Sequence, residues 1–170
     1  DSLPLALGAM QEGVSPLELA AAFQAFANGG FYREPYFVTR VEAADGVLEP
    51  SHLVVRRTMR SETAYQVTDI LQTVVRSGTA TGAQIGRPAA GKTGTVELPP
   101  TAEFEGAAGN AAAWFVGYTP ELVGVVWLGY DQIDAEHYLP SSVNGSTYPT
   151  AIWRRAVGTA LTGQPVLDFP

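Results

Sequence analysis

Two runs, Ala111 to Tyr118 and Leu122 to Tyr130, are rich in aromatic and β-branched residues and are separated only by Thr119-Pro120-Glu121. Such side chains fit a pleated surface, and a proline between the runs forces a turn. The pair predicts neighbouring antiparallel strands, whose faces the rest of the chain has to cover. Helical patterns supply the cover. Ser15-Pro16-Leu17-Glu18 combines an N-cap serine, a proline at the first helical position and a capping-box glutamate. Ala20, Phe23 and Ala27 mark the buried stripe of that helix, and Gly29-Gly30 stops it. A second helix opens at Ser61, carries Ala64, Val67, Leu71, Val74 and Val75 at helical spacing, and ends near Gly78. The last begins around Pro149 and ends at Gly163, with Ile152, Trp153, Ala156, Val157, Ala160 and Leu161 on one face.

Other segments read as connections. Phe37 to Leu48 alternates through Phe37, Thr39 and Val41 and contains Asp45-Gly46, which predicts a β-hairpin with short arms. Ser77 to Gly86 is dominated by Gly, Ala, Thr and Ser and reads as a loop that delivers Lys92. Asp131 to Gly145 is polar and predicts an exposed loop. Helices, then a meander, then a closing helix describe an α+β fold, antiparallel sheet strands packed with helices. With 170 residues and 46% hydrophobic content, one core is the expectation.

Lys and Arg total 10 against 17 for Asp and Glu, a formal charge of -7, so the electrostatic footprint of a nucleic-acid partner is missing. No cysteine is present, which removes disulfides, thiolate metal sites and a cysteine nucleophile. No apolar run reaches the roughly 18 residues of a membrane span, so no membrane contact is expected of this segment. The opening Ser2-Leu3-Pro4-Leu5-Ala6-Leu7 has no basic signal-peptide region, so the chain is expected to be a processed or trimmed piece of a longer protein.

The only lysine, Lys92, lies in Gly91-Lys92-Thr93-Gly94-Thr95. Gly86 to Thr93 satisfies G-x-x-x-x-G-K-[ST], the phosphate-binding loop of nucleotide hydrolases. That loop needs a buried strand before it and a helix after it, because the phosphates sit on the helix N-terminus. Before it here lies the small-residue loop. After it come Gly94, the β-branched Thr95 and Val96, and then Pro99-Pro100, which leave no room for a helix. Lys92 to Val96 is instead expected to be a strand.

As a strand, Lys92-Thr93-Gly94 matches the third motif of penicillin-binding proteins and serine β-lactamases. The likeness extends to Leu3-Pro4-Leu5-Ala6-Leu7-Gly8-Ala9, Val14 to Ala20, Phe26-Ala27-Asn28-Gly29-Gly30 and Ala113-Trp114-Phe115-Val116-Gly117-Tyr118-Thr119-Pro120, in that order. The chain thus resembles the C-terminal half of the transpeptidase domain of class A (bifunctional) penicillin-binding proteins, with the serine β-lactamase/transpeptidase-like fold, residues 1–170 forming one partial domain.

The resemblance implies acyl transfer by a serine D,D-transpeptidase that cross-links peptidoglycan stem peptides and reacts with β-lactams. It implies no cofactor and no metal. The resemblance assigns catalytic roles to Lys92 and Thr95. The charge of Lys92 attracts the substrate carboxylate and supports proton movement at the leaving group, and the Thr95 N–H is an oxyanion donor. By the same resemblance Thr93, Gly94 and Thr95 are expected to bind substrate, the threonines through their hydroxyls and Gly94 by leaving room for a substrate backbone. Trp114 and Phe115 are expected to pack between sheet and helices.

Departures from the family pattern matter as well. The nucleophile belongs to Ser-x-x-Lys, and the residue three before Lys92 is Ala89. Ser142-Val143-Asn144 has the letters of the second motif but follows the lysine motif instead of preceding it. The implied partner is therefore an N-terminal half carrying the serine, without which an apolar face is left exposed. The implied location is the extracytoplasmic face of the cell membrane, with any anchor outside this chain. Ala112 stands where many members have an acidic residue. Asn144-Gly145-Ser146 reads as a turn in preference to a glycosylation site, and Asp131, Asp134, Glu136 and His137 as a solvated loop in preference to a metal site. A non-catalytic homologue that binds cell-wall peptide is the alternative that the missing serine raises.

Overall fold

The computed structural model describes residues 13–44, 46–48 and 54–169. Its elements in chain order are α1 (Pro16–Ala27), β1 (Phe31–Arg33), β2 (Val41–Ala43), β3 (Gly46–Leu48), β4 (Val55–Arg57), α2 (Ser61–Ser77), β5 (Ala90–Glu97), β6 (Gly109–Tyr118), β7 (Val123–Gly129), β8 (Leu139–Pro140) and α3 (Tyr148–Ala160). The main sheet runs β5-β6-β7, all antiparallel, and β8 pairs with the start of β6. β1 pairs with β4 and β2 with β3 in separate ribbons.

The expected strand pair is β6 and β7, with Thr119 shaping the turn. Its hydroxyl accepts the N–H groups of Glu121 and Leu122 at 3.2 and 3.1 Å. Residues directly opposite across antiparallel strands share a face. Thr93, Phe115 and Val126 therefore form one row and Gly94, Trp114 and Trp127 the next, on the opposite face.

α3 covers the Phe115 face. Trp153 is almost fully buried, meets the Phe115 ring edge-on at 5.5 Å, and donates its indole N–H to the Gly117 carbonyl at 3.1 Å. A Cβ on Gly117 or Gly124 would stand 2.8 or 2.7 Å from that indole, so only glycine leaves the socket open. Val75, Ala80, Ala83, Ala89, Val157 and Leu161 complete this core. Burial of Val157 and Leu161 contributes roughly 1.5–3 kcal/mol each and, with Trp153, fixes α3 to the sheet.

A second cluster unites Leu71, Ala90 and Tyr118 with Phe23, Phe26 and Val67 of α1 and α2. The Tyr118 hydroxyl pairs with the buried Thr68 Oγ1 at 2.9 Å. α1 starts as expected. Ser15 Oγ accepts the Glu18 N–H at 3.2 Å, and Glu18 accepts the Ser15 N–H at 2.8 Å, which holds the Glu18 carboxyl below its usual range.

Several expectations change. Phe37 and Thr39 lie outside the β2–β3 hairpin, and Asp45 lies outside the described residues. The fully buried residues of α1 are Ala21 and Ala25, beside the half-buried Ala20, Phe23 and Ala27. In α3 the buried stripe is Trp153 and Val157, with Thr150 and Pro149, whereas Ile152, Ala156 and Ala160 are exposed. Thr150, Trp153, Val157 and Leu161 recur every three or four residues and share the side turned to the core, which leaves the adjacent line of Ile152, Ala156 and Ala160 to solvent. The small-residue segment before β5 is part of the core. Ala80 and Ala83 are fully buried, and a single 3-10 turn spans Thr81–Ala83. Small side chains let that backbone pass close under α3, where a Cβ on Gly82 would come within 2.7 Å of Thr150 Oγ1.

Candidate active site

β5 pairs with β6 on one side, and among the described residues nothing pairs with its other side. This edge carries all the expected site residues, Lys92, Thr93, Gly94 and Thr95. Its strand conformation from Ala90 to Glu97 overturns the phosphate-loop reading, since no helix starts at Thr93.

Strand geometry divides the four. Thr93 and Thr95 lean toward the face of Phe115 and α3, whereas Lys92 and Gly94 belong to the face of Val116 and Trp114. A ligand that touches all four has to lie along the edge itself. Lys92 is exposed, and its ammonium donates to the Thr93 carbonyl at 2.8 Å. Among the described residues no carboxylate lies within ion-pair distance of it, so its charge is uncompensated there.

Gly94 leaves limited room above Trp114, since a Cβ would sit 3.2 Å from the Trp114 Cβ. Gly91, three residues earlier and on the opposite face, is closed in, since a Cβ there would stand 2.6 Å from Phe115 Cζ and 2.7 Å from the Val116 carbonyl oxygen. Phe115 is core, as expected. Trp114 is a correction: it is half-buried on the other face and tilts against Trp127 at 6.2 Å, because its place in the strand alternation points it away from α3.

Sequence reasoning missed the neighbours of the two hydroxyls. Thr79 Oγ1 stands 2.9 Å from Thr93 Oγ1. Gly145 donates its N–H to Thr95 Oγ1 at 3.0 Å, although the segment ending there reads as an exposed loop. That is a second correction. Gly145 is buried, and β8 pins the middle of the excursion to β6 through Gly109↔Pro140 and Asn110↔Leu139. Asn144-Gly145-Ser146 is a turn, closed by the Ser146 N–H on Asn144 Oδ1 at 3.0 Å. No pattern in the sequence links positions this far apart.

His137 and Asp134 form a hydrogen-bonded, exposed pair at 2.8 Å that holds the Asp134 carboxyl below its usual range. Among the described residues no three acidic, His or Cys side chains gather as metal ligands.

The family model of the penicillin binding protein transpeptidase domain matches residues 1–157. The chain belongs to the penicillin-binding protein transpeptidase family. Penicillin-binding protein 1F of Bacillus subtilis is 41% identical over 156 residues, 91% of this chain and 21% of that protein. Penicillin-binding protein 1A of Aquifex aeolicus is 36% identical over 97% of this chain and 21% of its own length. The solved structure of the penicillin-binding protein PonA1 from Mycobacterium tuberculosis superposes with a TM-score of 0.72 at 31% identity, covering 89% of this chain and 40% of that one. PonA1 has also been solved in complex with penicillin V. The chain thus spans about a fifth of the length of these curated relatives and has the family's transpeptidase fold.

Proposed function

We propose that this chain is the C-terminal portion of a serine D,D-transpeptidase that cross-links peptidoglycan stem peptides, and that β5 forms one wall of its active site. The observation that carries the reading is the Lys92-Thr93-Gly94-Thr95 run on an unpaired strand edge, with an uncompensated ammonium at its start. An extended peptide can lie along such an edge as an added strand.

In the proposed reaction a serine Oγ from an N-terminal half outside this chain attacks the penultimate D-Ala carbonyl. The serine O–C bond forms, the amide C–N bond breaks, and the serine proton passes to the leaving D-Ala amine. An amine of a neighbouring stem then attacks the ester, its proton returns to the serine, and the new amide cross-links the strands. A β-lactam enters the same first step, its ring amide opening with no group lost.

Lys92 attracts the substrate carboxylate and supports the proton transfer, and the Thr93 and Thr95 hydroxyls hydrogen-bond that carboxylate. The Thr95 N–H serves the developing oxyanion, and Gly94 admits the substrate backbone. The preceding half packs on the face that carries Trp114 and Trp127, where Val96 and Trp127 are exposed. The reaction takes place outside the cytoplasmic membrane, where its substrate is.

The test is intact-mass analysis after incubation with a fluorescent penicillin, on the full-length protein, with peptide mapping of the adduct. One adduct per chain, mapping outside residues 1–170, is expected. An adduct within these residues overturns the division of labour, and no adduct overturns the catalytic reading in favour of a non-catalytic peptide-binding homologue.

A further inference from the structure

We propose that Thr79 and Gly145 are positioning residues for this site, holding the Thr93 and Thr95 hydroxyls from behind so that both present their protons to an anionic group. The inference rests on the transpeptidase reading above and adds to it residues that lie outside the lysine motif.

Thr93 and Thr95 are two apart on an edge strand and lean to the same side, so their hydroxyls form a short row. A threonine hydroxyl has one proton and can rotate, so it serves an anion well only if another donor occupies its oxygen. Each hydroxyl in the row has such a donor beside it. At Thr95 the donor is a backbone N–H, that of Gly145 at 3.0 Å, which cannot accept in return. The Thr95 proton is therefore directed elsewhere. At Thr93 the neighbour is Thr79 Oγ1 at 2.9 Å. When an anion takes the Thr93 proton, Thr79 becomes the donor, and a chain of aligned hydroxyls strengthens the terminal bond.

Both braces are stiff. Thr79 lies between Gly78, whose N–H closes α2 on the carbonyls of Thr73 and Val74, and Ala80, which is fully buried and bonds the Val74 carbonyl at 3.1 Å. The loop cannot move Thr79 without uncovering the core. Gly145 is seated against the strand itself. A Cβ there would stand 2.5 Å from the Gly94 carbonyl oxygen, 2.8 Å from the Gly94 nitrogen and 2.8 Å from the Trp114 carbonyl oxygen. All of those are backbone atoms, so any side chain at this position displaces β5 at its substrate-binding rung.

The experiment measures the acylation rate constant of the full-length protein as a function of concentration for benzylpenicillin and for its methyl ester, which lacks the anion. Thr79→Val is nearly isosteric at an exposed position and removes only the hydroxyl. It should lower acylation efficiency toward the acid about fivefold, the worth of one neutral hydrogen bond, and leave the ester unchanged. Thr79→Ser should restore the acid, and Thr79→Val should add nothing in a Thr93→Val background. Gly145→Ala, with melting followed to confirm the fold, should lower efficiency toward the acid more than Thr79→Val does. Equal losses for acid and ester in Thr79→Val, additivity of Thr79→Val with Thr93→Val, or wild-type rates in both variants overturn the inference while leaving the transpeptidase reading intact. A wild-type protein that penicillin does not acylate overturns both.

Discussion

Arg87 is five residues before Lys92 and is the most heavily committed cation among the described residues. It donates to Glu121 Oε1 at 2.9 Å and to the carbonyls of Leu161, Gln164 and Pro165 at 3.2, 3.0 and 3.3 Å. It thereby ties together the segment entering β5, the β6–β7 turn and the chain leaving α3. The side chains of Arg87 and Glu121 are only 10% and 19% exposed, so water screens the pair poorly. Arg87→Met keeps the apolar stem and leaves the Glu121 carboxylate charged, buried and without its partner. Breaking a buried pair in this way costs about 3–5 kcal/mol, whereas an exposed pair contributes about 0–1 kcal/mol. Against a total stability of roughly 5–15 kcal/mol the loss is large. Urea unfolding measures it directly, and the midpoint should fall with little change in slope, because the same surface is exposed. The double variant Arg87→Met, Glu121→Leu should recover most of the loss, since the unpaired charge is gone. A loss below about 1 kcal/mol, or a double variant no better than the single one, would refute the argument that charge burial sets the effect.

Further expectations concern the sheet. Burial pushes the Tyr118 hydroxyl from 10.0 up to about 12, against the opposing pull of its Thr68 hydrogen bond. A raised folded-state pKa means that this stability is complete below pH 10.0 and is lost as the pH climbs toward about 12. The base limb of a stability–pH curve should fall by roughly 2–3 kcal/mol in that window and should flatten in Tyr118→Phe, as chemical unfolding across the range will show. Gly91→Ala and Gly94→Ala should differ. The first drives a Cβ into Phe115 and the Val116 carbonyl and should cost about 1–3 kcal/mol by thermal unfolding. The second, with its nearest atom at 3.2 Å, should leave the melting temperature nearly unchanged but slow penicillin acylation, and equal melting losses in the two variants would contradict the assignment. Trp153→Ala empties the socket between Phe115, Gly117 and Gly124 and should lower unfolding free energy by about 3–5 kcal/mol in urea.

The parts of the fold legible in the sequence are those decided by local chemistry. The capping box at Ser15, the glycine ending α2 and the β6–β7 pair each depend on a few adjacent residues, and each lies where those residues predict. What could not be read depends on distant partners. β1 and β4 are three-residue strands whose pairing of Phe31 with Arg57 crosses the whole β2–β3 hairpin, and neither alternates strongly enough to announce itself. The burial of Ala80 and Ala83 follows from the passage of their backbone under α3, which no residue in that segment encodes. Trp114 was misplaced because hydrophobicity says that a residue is buried, and only the register says on which face.

The same distinction explains the site. The residue types at Lys92 to Thr95 are legible because their chemistry is concentrated in one run, but that run places its hydroxyls on one face and its ammonium on the other. An edge strand is the arrangement in which such a division is useful. The backbone is the only part common to both faces, so a ligand lying along it meets the charge from one side and the hydroxyls from the other. An interior strand with the same sequence would offer either group but not both, because its neighbours would occupy the line between them. On the proposed reading the specificity of the site depends on how firmly that edge is held, and the residues that hold it, Gly91 against Phe115, Gly145 against Gly94 and Thr79 beside Thr93, do so without charge and through contacts that no sequence pattern links.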